Sequence, residues 1–398
     1  MSTNALAGSS ANEVASTSAD AVEKAAALLP HLRDRTEEAE RLRRMPDETI
    51  EAIEDAGLLM MAAPKHYGGQ EAPLTDVLAV SEMFGRASGS ASWSIALYTA
   101  SPYLLAKFDD EAQDEVYASG HPFMCGVVTP SAQLVPADGG YRLTGHWRFA
   151  TGNRHAKWGQ MAAMVMGPDG PQGVAWVMVP RSDWTAHDDW FVTGLVATGS
   201  SSVSVDDAFV PAHRILHSAD FDRGISRRFG DDPYFAIPMA PFFIACTSAT
   251  PVGMAAGALE LFEERIQKRA ITYLDYPTAA EATVTHMQVD EAVMKLDQAR
   301  FHMGHAVTMA ESLRDAPGDI PTRARLKGDV GWCSRLGRDV VDIVQKGSGA
   351  SSLSIKDPLQ RLVRDAQAMS LHGVLASNTN AEVHGRVRCG LPPNTTVI

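Results

Sequence analysis

The spacing of apolar positions changes period twice along the chain and divides it into three zones. From Asp20 to about Ser119 the apolar residues recur at three- and four-residue intervals, as in "AVEKAAALLPHLRDRTEEAERLRR", "DETIEAIEDAGLL" and "LTDVLAVSEMFGRASGSASWSIALYTAS". That spacing predicts helices with one buried face. Asp47 stands where it would cap the second of these helices, and Gly57 where it would stop it. From about His121 to Leu216 the period drops to two. "YRLTGHWRFATG" puts Leu143, Gly145, Trp147 and Phe149 on one face and Arg142, Thr144, His146 and Arg148 on the other, as in a half-buried strand. "MAAMVMG", "GVAWVMVP" and "SSVSVDDAFVP" are further short strands between Gly, Pro and Asp. After Pro241 the helical period returns, with helices expected near 241–274, 281–314, 320–346 and 357–388. Short turns such as "RDAPGDIP" and "GSGASS" join them, so an antiparallel bundle is expected.

The expected fold is therefore mainly α with a central β domain. A tail over residues 1–20 precedes an N-terminal helical domain over 21–120, a middle β domain over 121–220 and a C-terminal bundle over 221–398. A chain of 398 residues, 45% of them hydrophobic, is long enough for more than one core. Its net charge of −13 argues against nucleic acid or an anionic membrane as partner. The four cysteines (Cys125, Cys246, Cys333, Cys389) are widely separated and form no CxxC pair, which fits free thiols in a reducing compartment rather than a zinc site. The N-terminal "MSTNALAGSSANEVASTSAD" has neither the basic start nor the apolar centre of a signal peptide. The longest apolar run, "YFAIPMAPFFIACTSATPVGMAAG", is interrupted by three prolines. A soluble cytoplasmic protein is the expectation.

Conventional chemical motifs are sparse. "GSGASS" follows a helix and lacks a P-loop lysine, so a helix-to-helix turn is its default reading. "HMGH" sets His302 and His305 at i and i+3 without an acidic partner at ligand spacing. It reads as a half-solvated face, and no metal is expected. There is no GxSxG elbow. Two stretches say more: "GHWRFATGNRHAKW", with a hydroxyl at Thr151 just before a Gly turn, and "GLVATGSSSVSVDDAFVPAHRIL", with a strand preceded by Ser200 to Ser202. Taken alone, the first is a core strand and the second an edge loop.

Together these stretches resemble the acyl-CoA dehydrogenase fold. "YRLTGHWRFATG" is similar to that family's "G-x-K-x-W-I-T-N-G" segment, "GLVATGSSSVSVDDAFVP" to its "T-x-S-x-x-V-x-F-x-D-V-x-V-P" strand, and "DPLQRLVRDAQ" to its "Y-P-V-E-R-L-M-R-D-A-K" helix. "GLLMMAAPKHYGG" fits its entry loop, and "IQKRAITYLDYPTAAEATVTHMQ" its third-domain helix. The likeness runs from about residue 30 to 388 and follows the same α–β–α order.

The resemblance also separates two chemistries. The dehydrogenase's catalytic glutamate falls on Gly373, and Met239 to Gly253, where some members place the base instead, contains no acidic residue. Beside Gly373 stands His372, eight residues after Arg364. That offset matches the "R-D-x-x-x-x-x-x-H" pattern of the two-component flavin-dependent monooxygenases built on this fold. "GSGASSLSIKDPLQRLVRD" and "GSASWSIAL" also resemble that group. If the helix over 357–388 is continuous, Arg361, Asp365 and His372 share one face.

The resemblance implies a monooxygenase that takes reduced flavin (FAD or FMN) from a separate NAD(P)H–flavin reductase and forms a flavin C4a-hydroperoxide. The substrate would be a small phenolic or indole-like aromatic. His372, with a pKa near neutrality, would activate that substrate, and Thr151 would sit beside the flavin. Trp147, Phe149, Thr151, Arg269, Ser348 and Gly349 are the expected cofactor contacts, with Arg265 and Lys268 beside Arg269. Trp93, Ser201 and His372 are the expected substrate contacts. In this fold a neighbouring subunit completes the flavin site, which implies a homotetramer. An acyl-CoA dehydrogenase with a displaced base, an N- or S-oxygenase, and a non-catalytic relative remain as alternatives.

Overall fold

The structure is a computed structural model, described over residues 19–118 and 120–398. The expected tail, apart from its last two residues, lies outside the described residues; residues 19 and 20 already belong to a helix. The N-terminal zone is helical throughout: α1 (19–27), α2 (Leu29–Asp34), α3 (Thr36–Leu42), α4 (Asp47–Asp55), α5 (Leu74–Gly85), α6 (Gly89–Leu105) and α7 (Asp110–Tyr117). Asp47 does not cap α4. Pro46 precedes the helix, and the Asp47 carboxylate instead binds Arg44 at 2.5 Å and His155 at 3.0 Å. Gly57 follows α4 at φ 76°, in the left-handed region a stop requires. α6 is the central helix of this zone. Ser88 caps it by accepting from the Ala91 N–H at 3.2 Å, and almost every side chain along it is buried.

The middle zone is one mixed sheet, in order β6-β7-β3-β2-β4-β5-β8, with β1 beside β4. Its strands are β1 (Met124–Val127), β2 (Ala132–Ala137), β3 (Gly140–Trp147), β4 (Trp158–Gly167), β5 (Gly170–Pro180), β6 (Thr185–Ala186), β7 (Val203–Pro211) and β8 (Ile215–His217). Leu143, Trp147, Met161, Val177 and Val205 turn inward to form a core of this domain's own. The alternation read in β3 holds as far as Trp147 and then fails. Phe149 lies beyond the strand at φ 65° and is 58% exposed.

The last zone contains α8 (Met239–Cys246), α9 (Ala249–Ile266), α10 (Thr283–Ser312), α11 (Ile320–Ser348), α12 (Pro358–Met369) and α13 (Ser377–Arg388). The apolar stretch Met239–Ile266 is almost wholly buried and forms the middle of the bundle. Two helices are shorter than the periodicity suggests. α9 ends at Ile266, so Lys268 and Arg269 stand beyond it. The helix expected over 357–388 is broken between Met369 and Ser377.

Candidate active site

α12 starts at a well-made N-terminus. Asp357 accepts the Leu359 N–H at 3.0 Å, and Pro358 opens the first turn with the φ that position favours. Leu359, Leu362, Ala366 and Met369 turn one face into the core, and Arg361 and Asp365 are buried with them. The Arg361 Nη1 donates to Thr36 Oγ1 at 2.8 Å. The Arg364 guanidinium donates to Glu40 at 2.7 Å and to the Thr193 carbonyl at 2.8 Å. Asp365 Oδ1 accepts the backbone N–H of Leu195 at 2.6 Å. Burial raises the Asp365 carboxyl to about 6, although the Leu195 N–H and two arginines favour its charged form. These bonds fasten the loop before β7 to α12. Gly194 lies so close that a Cβ there would meet the Arg364 carbonyl at 2.2 Å.

His372 follows in the turn after α12 and not on the helix, so it does not share a helical face with Arg361 and Asp365. Its ring meets the Trp93 indole edge-on, with centroids 4.7 Å apart. The Val374 N–H donates to His372 Nδ1 at 3.3 Å, which leaves the ring proton on Nε2 in the neutral form. Burial lowers its pKa to about 4. This corrects the expectation of a histidine titrating near neutrality. It is a weak base that offers an N–H.

From α6, the Trp93 Nε1–H donates to Thr151 Oγ1 at 3.3 Å. Thr151 in turn lies 2.8 Å from Ser200 Oγ, and Ser200 lies 2.7 Å from Thr198 Oγ1. The Thr151 turn is tied to the loop before β7 by the Gly152 N–H on the Thr198 carbonyl (3.0 Å) and the Ala150 N–H on the Ser201 carbonyl (3.2 Å). It is tied to α6 by Tyr98, whose hydroxyl donates to the Gly152 carbonyl at 2.7 Å. Gly152 is required here, because φ is 74° and a Cβ would stand 2.2 Å from Tyr98 Oη.

Trp93, Thr151 and His372, far apart in sequence, are thus joined through one indole, with Phe149 exposed two residues before Thr151. The Phe149 ring meets Trp190 edge-on at 6.1 Å. Two expected contacts turn away from this group. Trp147 is wholly buried in the β-domain core, where its indole donates to the Ala162 carbonyl at 2.7 Å, so it cannot face a cofactor. The Ser201 hydroxyl is buried and held by the Asn153 amide at 3.0 Å, away from the Trp93 indole contacts.

Arg269, Ser348 and Gly349 form a second group, at the opposite end of α12. Arg269 Nη1 donates to Ser351 Oγ at 2.7 Å, and Gly349 ends α11 at φ 67°. Arg265 pairs with the capping Asp357 at 2.5 Å. Two polar atoms here, Arg265 Nη1 and Ser348 Oγ, are buried without a partner. Twelve helical residues separate the two groups, about 18 Å along the axis.

The "HMGH" pair is not a bare solvated face. His302 and His305 donate from Nδ1 to the two oxygens of buried Asp329, at 2.7 and 2.6 Å, and Arg325 also binds that carboxylate. The acidic partner comes from α11, a neighbouring helix, where spacing within one segment cannot reveal it.

Two family models match the chain: "Acyl-CoA dehydrogenase, N-terminal domain" over residues 17–120 and "Acyl-CoA dehydrogenase, C-terminal domain" over residues 245–377. Among curated proteins the chain is similar to a pigment production hydroxylase of Rhodococcus sp. (28% identical, covering 94% of this chain and 98% of that one). It is also similar to HsaA, the oxygenase subunit of a flavin-dependent monooxygenase of Mycobacterium tuberculosis (29% identical, 93% and 95% covered). Among solved structures, XiaF from Streptomyces sp. in complex with FADH2 and glycerol superposes with a TM-score of 0.91, at 28% identity and 97% and 99% coverage. The chain belongs to the flavin-dependent monooxygenases built on the acyl-CoA dehydrogenase fold. A flavin cofactor and dioxygen as cosubstrate follow from that membership.

The residues present fit such a cofactor. Phe149 offers an exposed aromatic face beside the Thr151 hydroxyl, and the partnerless Arg265 and Ser348 atoms suit an anionic group. Sequence reading missed Thr198, Ser200 as the partner of Thr151, and Asp365 as the anchor of Leu195. The run of small hydroxyl residues before β7 is the signal that could have found the first two.

Proposed function

We propose that this monooxygenase is the oxygenase component of a two-component system that hydroxylates a small phenolic or indole-like aromatic. Reduced FAD or FMN would come from a separate NAD(P)H–flavin reductase. The observation that carries it is that the Trp93 indole joins Thr151, through its N–H, to His372, through an edge-on ring contact. When bound, reduced flavin supplies dioxygen activation, with one oxygen atom passing to substrate and the other leaving as water.

The chain's residues divide the remaining work. Phe149 and Trp93 give flat apolar surfaces on which aromatic rings pack. The neutral His372 donates its Nε2–H to the oxygen of a phenol bound as its phenolate, the better ring nucleophile, whose proton has gone to solvent on binding; with a pKa of about 4 the imidazole does not take that proton itself. The buried surroundings keep water from the reacting atoms. Gly373, where the dehydrogenases carry their base, stands next to His372 in open space, with nothing within 4 Å of where a Cβ would stand. Relatives described as resorcinol hydroxylase and p-hydroxyphenylacetate 3-hydroxylase act on phenols, and one described as indole-3-acetate monooxygenase acts on an indole; this supports the substrate class.

Arg269, Ser348 and Gly349 would hold flavin phosphate. Because they lie at the far end of α12 from His372, they would serve a flavin shared with a neighbouring subunit of a homotetramer. An apolar stripe on α10 (Val284, Met287, Met294 and Phe301, all exposed) is the surface that supports such an assembly. The buried free thiols of Cys125, Cys246 and Cys333 suit the cytoplasm, which we propose as its compartment.

The test is a panel of phenols and indoles incubated with the protein, reduced flavin and isotopically labelled dioxygen. Hydroxylated product carrying one labelled atom is expected, with His372→Ala diverting the oxygen to hydrogen peroxide. Flavin reduction by an acyl-CoA thioester, with no oxygenated product from the panel, would overturn the reading.

A further inference from the structure

The hydroxyl groups around Thr151 form a chain with a donor at one end and an acceptor at the other, and this fixes where each proton points. The Trp93 indole N–H can only donate, and it donates to Thr151 Oγ1 at 3.3 Å. The Leu195 carbonyl can only accept, and Thr198 Oγ1 donates to it at 2.8 Å. Between them stand the Thr198–Ser200 contact of 2.7 Å and the Ser200–Thr151 contact of 2.8 Å. Each hydroxyl has one proton. That of Thr198 is committed to Leu195, so Ser200 must donate to Thr198. The Ser200 proton is then committed as well, so Thr151 must donate to Ser200.

Reversing the direction would set an unprotonated Thr198 oxygen against the Leu195 carbonyl at 2.8 Å, two acceptors facing each other. Trp93, Thr151, Thr198 and Ser200 are all buried, so bulk water does not scramble the order, and bonds aligned in one direction strengthen one another. The acceptor end is itself held firmly. Leu195 sits at φ 54°, with its N–H on Asp365 Oδ1 at 2.6 Å.

Thr151 Oγ1 therefore has its proton turned to Ser200, one lone pair filled by Trp93 and one lone pair left. We propose that Ser200 and Thr198 are positioning residues that present Thr151 to the bound flavin as a hydrogen-bond acceptor, which selects the reduced form of the ring over the oxidised form. The inference rests on the flavin reading above. The central-ring nitrogen of a reduced flavin carries an N–H and can donate; in the oxidised ring it is an acceptor. A fixed acceptor on the protein matches the first and leaves two lone pairs opposed against the second. One such mismatch corresponds to about a tenfold difference in affinity.

The test is anaerobic titration of the whole protein with oxidised and with chemically reduced FMN, then FAD, to give the ratio of the two dissociation constants. Thr198→Val removes the link to Leu195 with almost no change in shape. Ser200 can then donate to Thr151, and the Thr151 proton becomes free to turn towards the ring. The expected result is that the preference for reduced flavin falls about tenfold, mainly through tighter binding of the oxidised form. Ser200→Ala frees the same proton and should act alike; if it does not fold, Thr198→Val decides. Thr151→Val should lose the preference by weakening the reduced form instead. Preference lost in Thr151→Val but unchanged in Thr198→Val and any folded Ser200→Ala would overturn the directed chain and leave the flavin site standing. Binding of both flavin forms untouched by Thr151→Val would overturn the flavin reading at this site and the inference with it.

Discussion

Trp147 and Phe149 stand two positions apart at the end of one strand, and their fates differ because of a single backbone angle. Alternation assigns both to one face. The positive φ at Phe149 turns its ring outward, while Trp147 stays in the β-domain core with its N–H on Ala162. Trp147→Phe should therefore cost about 1–3 kcal/mol of stability and leave flavin affinity unchanged, as denaturant unfolding and flavin titration would record. A local pattern does not carry that angle, so this part of the site was not legible in the sequence. Thr151, Trp93 and His372 could each be singled out as candidates, because each lies in a segment whose resemblance extends over many neighbours; that the three meet could not be read.

Two titratable groups at the site give opposed pH dependences. His372 is held neutral, with a pKa of about 4 against about 6.5 when unfolded. Its neutral state costs nothing above about pH 6.5, and stability is lost as pH falls from there towards 4, by up to about 3 kcal/mol. Asp365, raised to about 6, acts in the other sense. The fold is favoured below about pH 4 and loses up to about 3 kcal/mol as pH rises towards 6. Asp365→Asn keeps an oxygen for the Leu195 N–H and removes the charge. It should raise the unfolding free energy at pH 7.5 and leave it unchanged near pH 4. A fall at pH 7.5 would mean that Arg361 and Arg364 stabilise the charge by more than burial penalises it. His372→Gln should flatten the acid side in part, since His121, also lowered to about 4 by burial, adds the same slope.

At the scale of elements, the site is where α6, the Thr151 turn, the loop before β7 and the end of α12 converge. Periodicity located all but one of these. The long helix expected over 357–388 is two helices, and the break matters because it frees His372 from a helical face and lets it meet Trp93. Nothing in "AMSLHGVLAS" beyond one glycine marks the stop. Helix propensity is a weak signal against the pull of tertiary contacts, here Asn380 donating to the Val374 carbonyl at 2.7 Å. Gly152→Ala should test how tightly the Thr151 turn is held. With φ at 74° and Tyr98 Oη in the way, a loss of about 2–4 kcal/mol is expected, together with weaker flavin binding. Thermal melts and flavin titration measure both.

At the scale of the whole molecule, the order α–β–α was readable from the two changes of period, and the cores follow it, with one in the β domain and a larger one running through both helical zones. Contacts made between zones were not readable. Asp365 on Leu195, Arg361 on Thr36 and Arg364 on Glu40 join residues far apart in sequence, and single-segment spacing has no means of pairing them. The proposed assembly belongs to this scale too. Phe301→Glu, placed in the exposed α10 stripe, should lower the molar mass measured by light scattering, and an unchanged mass would remove that stripe from the interface.

The most direct measurement is stopped-flow absorbance after mixing the protein, loaded anaerobically with reduced flavin, with oxygenated buffer. The expected result is a transient, distinct from oxidised flavin, that precedes reoxidation and is shorter-lived in Thr151→Val. Reoxidation in a single phase at the rate of free flavin, identical in the two proteins, would contradict an oxygenase site built around Thr151, Trp93 and His372.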